Sequence, residues 1–266
     1  MTGPLGLPMP ASAHAAEVDQ TMILVHVLMG VLFVGWILFF IYVLYRFRQG
    51  RNPVASYTGA TGKTSTYLEI AVAVAEGILL IGFSIPLWAK RVDEFPPREQ
   101  SVVVRVVGEQ FAWNIHYPGP DGKFGKTDIA KIDLQTNPLG LDRTDPDAKD
   151  DVVTLNQLHL PVNKSVIVDL SSKDVIHSFN LKEFRVKQDA VPGLTIPLWF
   201  VPTVTTEEMR QKMGNPEFTY EIACAQLCGL GHYSMRGYVT IHSQDDFDAW
   251  MKAEEEKLSS EDAAWN

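Results

Sequence analysis

The sequence has few cysteines and a shortage of basic residues, and both limit what the chain can be. Lys and Arg number 23 against 32 Asp and Glu, which gives a formal net charge of −9. Binding to nucleic acid requires a basic surface, so this charge argues against that class of protein. An acidic surface instead favours a basic protein partner through long-range attraction. The two cysteines, Cys224 and Cys228, are too few to indicate the redox compartment by themselves.

Charged residues are absent from a long stretch near the N-terminus. Residues 21–45 contain no Asp, Glu, Lys or Arg, and about 20 apolar residues suffice to cross the hydrocarbon core of a bilayer. A second apolar stretch, residues 67–88, contains two acids, Glu69 and Glu76. Neither stretch has an alternating polar face, so two membrane spans are favoured over buried helices of a soluble protein.

The loop between these stretches contains no acidic residue. Its basic residues are Arg46, Arg48, Arg51 and Lys63. Short cytoplasmic loops are enriched in Lys and Arg, so we expect this loop inside and both termini outside a bacterial-type plasma membrane. Residues 17–98 then form a transmembrane hairpin, and everything after Arg98 is extracytoplasmic. Residues 1–16 are interpreted as a leader remnant or a flexible N-terminus, because small-residue triplets resemble a cleavage site but a basic start is missing.

The extracytoplasmic part lacks the strand–helix alternation of a parallel sheet. Strand-like runs occur at residues 101–107, 111–117, 152–160, 164–170, 174–181, 217–223 and 238–242. Many short strands separated by turns predict a sandwich or barrel, here over residues 99–242. A polar insertion at about 119–151 is predicted to be a long surface loop. A short helix is expected from Thr205 to about Gly214, and Ser243 begins a C-terminal helix and acidic tail over residues 243–266.

One short segment concentrates soft metal-ligand types. Cys224, Cys228, His232 and Met235 follow one another as Cys-x3-Cys-x3-His-x2-Met. Thiolate, thioether and imidazole together suit copper, whereas magnesium and calcium prefer oxygen. His177, 47 residues before Cys224, is the natural distant histidine. Two thiolates on one loop can bridge two metal ions, and such a pair shares its unpaired electron, which suits rapid one-electron transfer.

The two cysteines admit three other interpretations. A disulfide is common for two cysteines in an oxidising compartment, but it leaves His177, His232 and Met235 unexplained. Structural zinc rarely uses a thioether. Copper chaperones with a thioredoxin-like fold share the Cys-x3-Cys motif, but they require βαβ units, which the sequence lacks. The remaining histidines have no partner pattern and are expected to be structural.

The two-span hairpin followed by DVIHSF (174–179) and CAQLCGLGHYSM (224–235) resembles subunit II of the haem–copper oxidases, the CuA subunit of cytochrome c oxidase. The resemblance covers residues 21–242 and implies membrane plus all-β architecture with a cupredoxin-like Greek-key barrel. It implies two copper ions, a binuclear CuA centre. The ligands it implies are His177, Cys224, Cys228, His232, Met235 and the backbone carbonyl of Gln226.

The same resemblance implies the partners and the activity. Members of this family take electrons from a cytochrome c-type donor and pass them to haem in oxidase subunit I, where O2 is reduced to water and protons are pumped. Subunit III and membrane lipid are further expected partners, and His232 is the expected exit toward subunit I. The chain has no Cys-x2-Cys-His for covalent haem, so the donor must be a separate protein or subunit.

Three positions depart from or extend the family pattern. Gln226 replaces the usual Glu, which keeps the backbone carbonyl but removes a charged ligand, so a strong magnesium site at the subunit I interface is not expected. Phe111 replaces the first Trp of the usual Gln-Trp-x-Trp, so Phe111 and Trp113 are candidates either for electron transfer or for simple aromatic packing. Glu69 matches the family's acid at the mouth of a proton-uptake path, with an interfacial residue reaching water as the alternative.

Two other functions remain open from the sequence. The first is a membrane-tethered copper-binding or copper-delivery protein that acts without an oxidase core. The second, an enzyme that reduces nitrous oxide, shares the copper motif but has a large propeller domain and no two-span hairpin. The hairpin therefore favours the oxidase subunit over this enzyme.

Overall fold

The structure of the chain, a computed structural model, describes residues 4–55, 57–59 and 62–265. It contains two compact units. One comprises residues 16–93, and the other comprises residues 1–15 together with 94–266. The first unit is helical and the second is built mainly of strands, as the sequence predicts.

The helical unit consists of two long apolar helical stretches. Helix α1 covers Ala15–Arg46. The second stretch contains α2 (Thr64–Leu79), a five-residue π-helical segment (Leu80–Ser84) and α3 (Ile85–Val92). Their mean hydropathies over 18 residues are 2.7 and 2.2, high enough for both to cross a membrane. The prediction of two apolar N-terminal helices is thus confirmed.

The π-helical segment ends two residues before a proline. Pro86 is at the start of α3 and has no N–H to donate to the preceding turn, so the regular hydrogen-bond ladder cannot continue through it. Widening the preceding turn by one residue accommodates this interruption without ending the helix. The Ser84 hydroxyl donates to the carbonyl of Leu79 at 3.2 Å, which satisfies one of the carbonyls in this region.

The second unit contains two five-stranded sheets among its described residues. The strands of the first sheet, in spatial order, are β3 (Val152–Leu155), β2 (Ala112–Tyr117), β1 (Val102–Glu109), β5 (Val166–Ser172) and β8 (Ile196–Phe200). Those of the second are β4 (Gln157–Pro161), β10 (Arg236–His242), β9 (Tyr220–Cys224), β6 (His177–Leu181) and β7 (Val186–Ala190). The pairs β1–β5 and β4–β10 are parallel, and the other named pairs are antiparallel.

Alternating apolar side chains hold the sheets together. In β1, Val104 and Val106 are fully buried while their neighbours Val103, Arg105 and Val107 are partly exposed. This is the period of two that a strand with one face on a core requires. Phe179 and Ile222 contribute the facing layer from the second sheet to the same core. The predicted cupredoxin-like all-β unit is therefore confirmed.

The observed strands differ from the sequence-based expectation in two ways: one predicted strand is divided in two, and two strands are additional. The run at 152–160 is divided between the two sheets at Asn156, whose φ of 58° lies in the left-handed region that Asn tolerates. Strands β7 and β8 were not predicted. In β7, the apolar ends Val186 and Ala190 flank a polar centre, Lys-Gln-Asp. β8 contains Pro197, a residue that normally argues against a central strand.

The two predicted helices of this unit are present. Helix α4 covers Thr206–Met213, and Thr205 caps it through a reciprocal pair of bonds with Glu208. It ends at Gly214, whose φ of 63° favours glycine. Helix α5 covers Gln244–Trp265, and the Ser243 hydroxyl accepts the N–H of Asp246 at 3.2 Å.

The insertion at about 119–151 is more than the surface loop that was predicted. Leu141 and Ala148 are buried in it. Its last residue, Asp151, is fully buried and accepts hydrogen bonds from His116 Nε2 at 2.7 Å and from the N–H of Gly125 at 2.8 Å. Its many Asp and Pro residues concealed this packing, because the residues that anchor the loop are few and widely separated.

The N-terminal segment also differs from the flexible terminus that was one of the two interpretations of residues 1–16. Ala11 donates to the carbonyl of Glu183 at 2.8 Å and accepts from the N–H of Thr203 at 2.8 Å. Ala13 donates to the carbonyl of Val201 at 3.0 Å, and Ala11 and Ala15 are fully buried. Residues 1–3 of the predicted leader lie outside the described part of the chain.

Candidate metal centre

Strand pairing brings the distant histidine to the cysteine loop. β6 begins at His177 and β9 ends at Cys224, and the two strands run antiparallel with Phe179 opposite Cys224. The chain then turns through the loop that carries Cys228 and a short 3-10 turn at His232–Ser234. It returns as β10, with Met235 immediately before the strand. His177 and Cys224, which are 47 residues apart in sequence, are thus neighbours at one end of the second sheet.

Six potential ligand atoms converge, namely the two cysteine sulfurs and four atoms around them. Cys224 Sγ and Cys228 Sγ are 3.8 Å apart and not bonded to each other. Cys224 Sγ lies 4.0 Å from His177 Nδ1 and 3.2 Å from the carbonyl oxygen of Gln226. On the other side, Cys228 Sγ lies 3.6 Å from His232 Nδ1 and 3.7 Å from Met235 Sδ. Each sulfur therefore has one imidazole nitrogen and one weaker donor beside it.

The cluster is enclosed on its inner side and open on its outer side. His177, Cys228 and Met235 are buried, whereas Cys224 and His232 are partly exposed. Three apolar side chains of the same loop are strongly exposed: Leu227 at 79 %, Leu230 at 96 % and Tyr233 at 88 %. Large apolar groups that cluster at a surface mark interaction sites more often than chance exposure. We refer to Leu227, Leu230 and Tyr233 as the apolar rim.

The ring of His177 is fixed by a carboxylate and by close packing. Its Nε2–H donates to Asp174 Oδ1 at 2.8 Å, which leaves the lone pair of Nδ1 directed toward Cys224. Behind the ring, a Cβ on Gly108 would lie only 2.9 Å from His177 Cδ2, so glycine is the residue that fits there. Trp113, fully buried, meets the imidazole edge-on with ring centroids 6.0 Å apart.

Asp174 is itself held as a carboxylate. Partial burial raises its pKa, but hydrogen bonds from His177 and from the backbone N–H groups of Gln110 and Val175 outweigh it and hold the pKa below its ordinary value. The acceptor for His177 is therefore charged at neutral pH, which strengthens the bond that orients the ring.

The cysteine loop is supported from β1–β2. The amide of Gln110 donates to the carbonyl of Cys228 at 2.5 Å. The neighbouring Phe111 lies against Gly229 and Gly231, where a Cβ on Gly231 would be 2.4 Å from Phe111 Cδ2. Of the two candidate electron-transfer aromatics, Phe111 thus packs on the loop backbone and is 36 % exposed, whereas Trp113 is buried beside His177.

Burial disfavours ionisation of the Cys228 thiol in the absence of a cation. Desolvation, followed by the neighbouring Cys224, raises the pKa of the Cys228 thiol to about 11. Metal ligation requires the thiolate, so the free energy of binding a cation would offset the cost of ionising this buried thiol.

The donor set fits a soft metal. Within the described residues, His177, Cys224 and Cys228 form a group whose ligand atoms lie within 4.8 Å of one another. Thiolate, imidazole and thioether are the ligands that copper prefers over hard cations. Gln226 is exposed, and its backbone carbonyl oxygen is the atom that lies beside Cys224 Sγ.

The candidate proton-path residue lies in the helical unit. Glu69 is on α2 with its side chain exposed on the helix surface. Glu76, two turns later, lines a cavity of about 270 Å³ with apolar residues of α1 and with Ser84.

Four supporting residues were missed by sequence reasoning. They are Gly108, Gln110, Asp174 and Gly231. A signal for Asp174 existed, because it lies three residues before His177 in the DVIHSF motif. Gln110 and Gly231 also lie within motifs of the sequence, but the residues that they contact are distant in sequence, and no local signal marks Gly108.

Comparison with known proteins agrees with this geometry. The family model described as cytochrome c oxidase subunit II, periplasmic domain, matches residues 102–242. The alternative cytochrome c oxidase subunit 2 of Bradyrhizobium diazoefficiens is 33 % identical over 244 residues, which cover 91 % of this chain and 82 % of that protein. Cytochrome c oxidase subunit 2 of Cereibacter sphaeroides is 28 % identical over 266 residues, covering 94 % of this chain and 80 % of that protein.

Among solved structures, the periplasmic domain of subunit II of the Bradyrhizobium japonicum cytochrome oxidase is 27 % identical. The alignment covers 61 % of this chain and 98 % of that one, with a TM-score of 0.41. The match of the family model across the β unit and the similarity of full-length relatives show that this chain belongs to the cytochrome c oxidase subunit II family, and that it is a membrane-anchored subunit of a haem–copper oxidase with an extracytoplasmic cupredoxin-like domain.

Proposed function

We propose that the chain is the electron-entry subunit of its oxidase. In this role it accepts electrons from a cytochrome c-type donor at a binuclear copper centre and passes them to haem in subunit I, where O2 is reduced to water and protons are pumped. When bound, the copper pair supplies a one-electron carrier whose charge is shared between two ions. The single observation that carries the proposal is the convergence of six donor atoms, the sulfurs of Cys224 and Cys228 and four atoms around them.

The arrangement favours two ions over one. Each sulfur has its own imidazole, His177 beside Cys224 and His232 beside Cys228. Each also has its own weak donor, the carbonyl of Gln226 on one side and the thioether of Met235 on the other. A single blue-copper ion uses one Cys, two His and one weak axial ligand, which would leave one thiol and one weak donor of this cluster without a role.

The protein's own contribution is to hold this donor set rigidly. Asp174 fixes the tautomer and orientation of His177, and the amide of Gln110 fixes the backbone at Cys228. Ligands that cannot move require little rearrangement when the oxidation state changes, which favours fast electron transfer. Burial of Met235 and Cys228 excludes water from the inner side of the site.

The surroundings of the cluster support partners on its open side. The apolar rim of Leu227, Leu230 and Tyr233 suits a contact with the oxidase core, which includes subunit I and, with it, subunit III. The net charge of −9 suits attraction of a basic cytochrome c-type donor. Of the two aromatics, Phe111 is partly exposed and lies on the cysteine loop, so it is the one that a docked donor could reach, whereas Trp113 is fully buried against His177.

The proposal includes a two-span topology. Both helical stretches cross the plasma membrane, the basic loop lies inside, and both termini and the copper domain lie outside. Glu69, near the cytoplasmic end of its span, is then placed to receive protons for subunit I. Replacing Glu69 by Gln should slow proton uptake by the assembled oxidase while leaving copper content unchanged, whereas equal rates would show that it is an interfacial residue.

Gentle solubilisation tests the proposal against the alternative of a copper-delivery protein. The full chain is tagged, extracted in a mild detergent and purified from membranes without high salt. An oxidase subunit brings haem and a large multi-span partner with it and oxidises reduced cytochrome c. A chain that carries copper but no haem and no such partner would favour copper delivery instead.

A further inference from the structure

An ion pair that the proposed function does not use lies where β1 and β5 end. It joins the side chains of Glu109 and Lys173, which are only 15 % and 20 % exposed. Removing two charges from water is costly, and replacing a buried pair with apolar side chains is often neutral or even stabilising. A pair in such a position is therefore better explained by what it holds in place than by the stability that it adds.

Further hydrogen bonds hold both members of the pair. Glu109 accepts from Lys173 through Oε2 and from the side-chain amide of Asn114 through Oε1, the latter at 3.0 Å. Lys173 also donates from Nζ to the carbonyl of Pro138 in the insertion, at 2.7 Å. Each charged group thus has two bonded partners, which fixes its position more closely than a single contact between two flexible side chains would.

The pair bridges the C-terminal ends of two neighbouring parallel strands, β1 and β5. Backbone groups already connect these ends twice. The N–H of Lys173 donates to the carbonyl of Gly108 at 3.0 Å. The N–H of Gln110 donates to Asp174 Oδ2 at 2.7 Å. The side chains of Glu109 and Lys173 make a third connection between the same two ends, and we refer to these two residues as the clasp.

The residues that follow the clasp in sequence support the metal centre from two sides. Asp174, directly after one member, accepts from His177 Nε2 at 2.8 Å and so orients that ring. Gln110, directly after the other member, donates to the carbonyl of Cys228 at 2.5 Å. Movement of the two strand ends relative to each other would therefore displace one supporting residue against the other. Supporting residues of this kind control how metal ligands are held.

We propose that Glu109 and Lys173 are positioning residues for the copper centre. By holding the ends of β1 and β5 together, the clasp fixes the places from which Asp174 and Gln110 direct the ligands on both sides of the site. The bond to the carbonyl of Pro138 ties the insertion into the same arrangement. This role rests on the proposed function, because the ligands serve electron transfer only when they hold copper.

Breaking the clasp from either side should disturb the copper centre in the same way. Lys173→Met and Glu109→Gln should each weaken copper binding by about tenfold or more, the usual effect of losing a residue that supports metal ligands. Both should also make the coupling of the unpaired electron to the two copper nuclei unequal. Affinity is measured by competition with a chelator and coupling by electron spin resonance, on the full chain in detergent.

An effect of charge alone has a different signature. Loss of the positive charge in Lys173→Met would lower the reduction potential, and loss of the negative charge in Glu109→Gln would raise it, because the oxidised centre is the more positive one. The electron spin spectrum would then keep equal coupling in both variants. Voltammetry on the same samples therefore separates a positioning role, with its common spectral change, from two charges that act at a distance.

Three further variants separate position from stability. Glu109→Gln/Lys173→Met leaves neither charge unpaired, so it should fold with a stability close to that of the unaltered chain but bind copper as weakly as the single variants. The exchanged pair, Glu109→Lys/Lys173→Glu, restores the attraction between the two strand ends and should recover most of the affinity. Lys131→Met breaks an ion pair inside the insertion, with Asp142, and should behave like the unaltered chain.

A measurement without copper keeps the test independent of the proposed function. The proton on His177 Nε2 is bonded to Asp174, and its exchange with water in the metal-free chain, followed by ¹⁵N-histidine spectra, should be about tenfold or more faster in both single variants. One copper ion or none in the unaltered chain would refute the proposed function and leave this test intact. Single variants that match Lys131→Met in affinity, spectrum and exchange, or opposite shifts of potential with unchanged spectra, would overturn the proposal.

Discussion

Gly231 is the position where a single methyl group should disturb the metal centre most. A Cβ at Gly231 would lie 2.4 Å from Phe111 Cδ2 and 2.6 Å from its Cγ, whereas carbon atoms in contact are normally about 3.5–4.0 Å apart. The overlap therefore requires a movement of roughly 1 Å or more. Because Cγ is close to the Phe111 backbone, a small rotation of the ring end cannot supply it.

The cysteine loop, not the Phe111 ring, is the part that is expected to move. Gly231 directly precedes His232, and the same loop carries Cys228. Overpacking of this kind costs about 1–3 kcal/mol, and a displacement of about 1 Å is enough to spoil a site that depends on fixed ligand positions. Gly231→Ala should therefore lower the free energy of unfolding by that amount and reduce copper content below that of the unaltered chain.

A second substitution tests the cause. Phe111→Ala removes the ring that the new methyl would meet, so the Gly231→Ala/Phe111→Ala double variant should regain copper relative to Gly231→Ala alone. Gly62→Ala, where a Cβ has nothing within 4 Å, serves as the control and should behave like the unaltered chain. Copper is measured by elemental analysis and stability by denaturant unfolding of the purified full chain. Unchanged copper in Gly231→Ala, or a double variant no better than the single one, would refute the reasoning.

Three further changes have defined outcomes. Met235→Leu should keep two copper ions but shift the reduction potential, measured by voltammetry; loss of both ions would show that its role is misassigned. Burial lowers the pKa of His159 to about 4, so the unfolded chain binds more protons between about pH 6.5 and 4 and stability should fall by roughly 1–2 kcal/mol as the pH drops through that range. His159→Phe, which can still stack on Trp250, should flatten this dependence in unfolding curves at several pH values, and an unchanged slope would contradict it. Asp151→Ala leaves His116 Nε2 and the N–H of Gly125 without their buried acceptor and should cost about 2–6 kcal/mol in denaturant unfolding, at about 1–3 kcal/mol for each unsatisfied group; a cost below about 1 kcal/mol would mean that these bonds are not a structural anchor.

The sequence was informative where the chemistry is local. Cys224, Cys228, His232 and Met235 lie within 12 residues, so their spacing alone indicated a soft-metal loop. Helix α4 was predictable for the same reason, since the cap at Thr205 and the stop at Gly214 are signals within a few residues of the helix. The apolar helices followed from uninterrupted hydrophobic length, which needs no knowledge of tertiary structure.

Long-range packing was not predictable in the same way. Gly108 matters because it allows the ring of His177, 69 residues later in the sequence, to approach, and a lone glycine does not reveal what it faces. The insertion before β3 was predicted to be a surface loop because its composition is polar, yet one buried carboxylate, Asp151, ties it to His116. β8 was missed because its proline contradicts local strand propensity, although pairing with β5 holds it in the sheet.

The metal content and electron spin spectrum of the purified full chain test the central claim most directly. After reconstitution with copper, the account predicts two copper ions per chain and a spectrum in which one unpaired electron couples equally to two copper nuclei. The double variant Cys224→Ser/Cys228→Ser should lose both ions and the signal. A single copper ion with a spectrum localised on one nucleus, or no copper with Cys224 and Cys228 joined as a disulfide, would contradict the account.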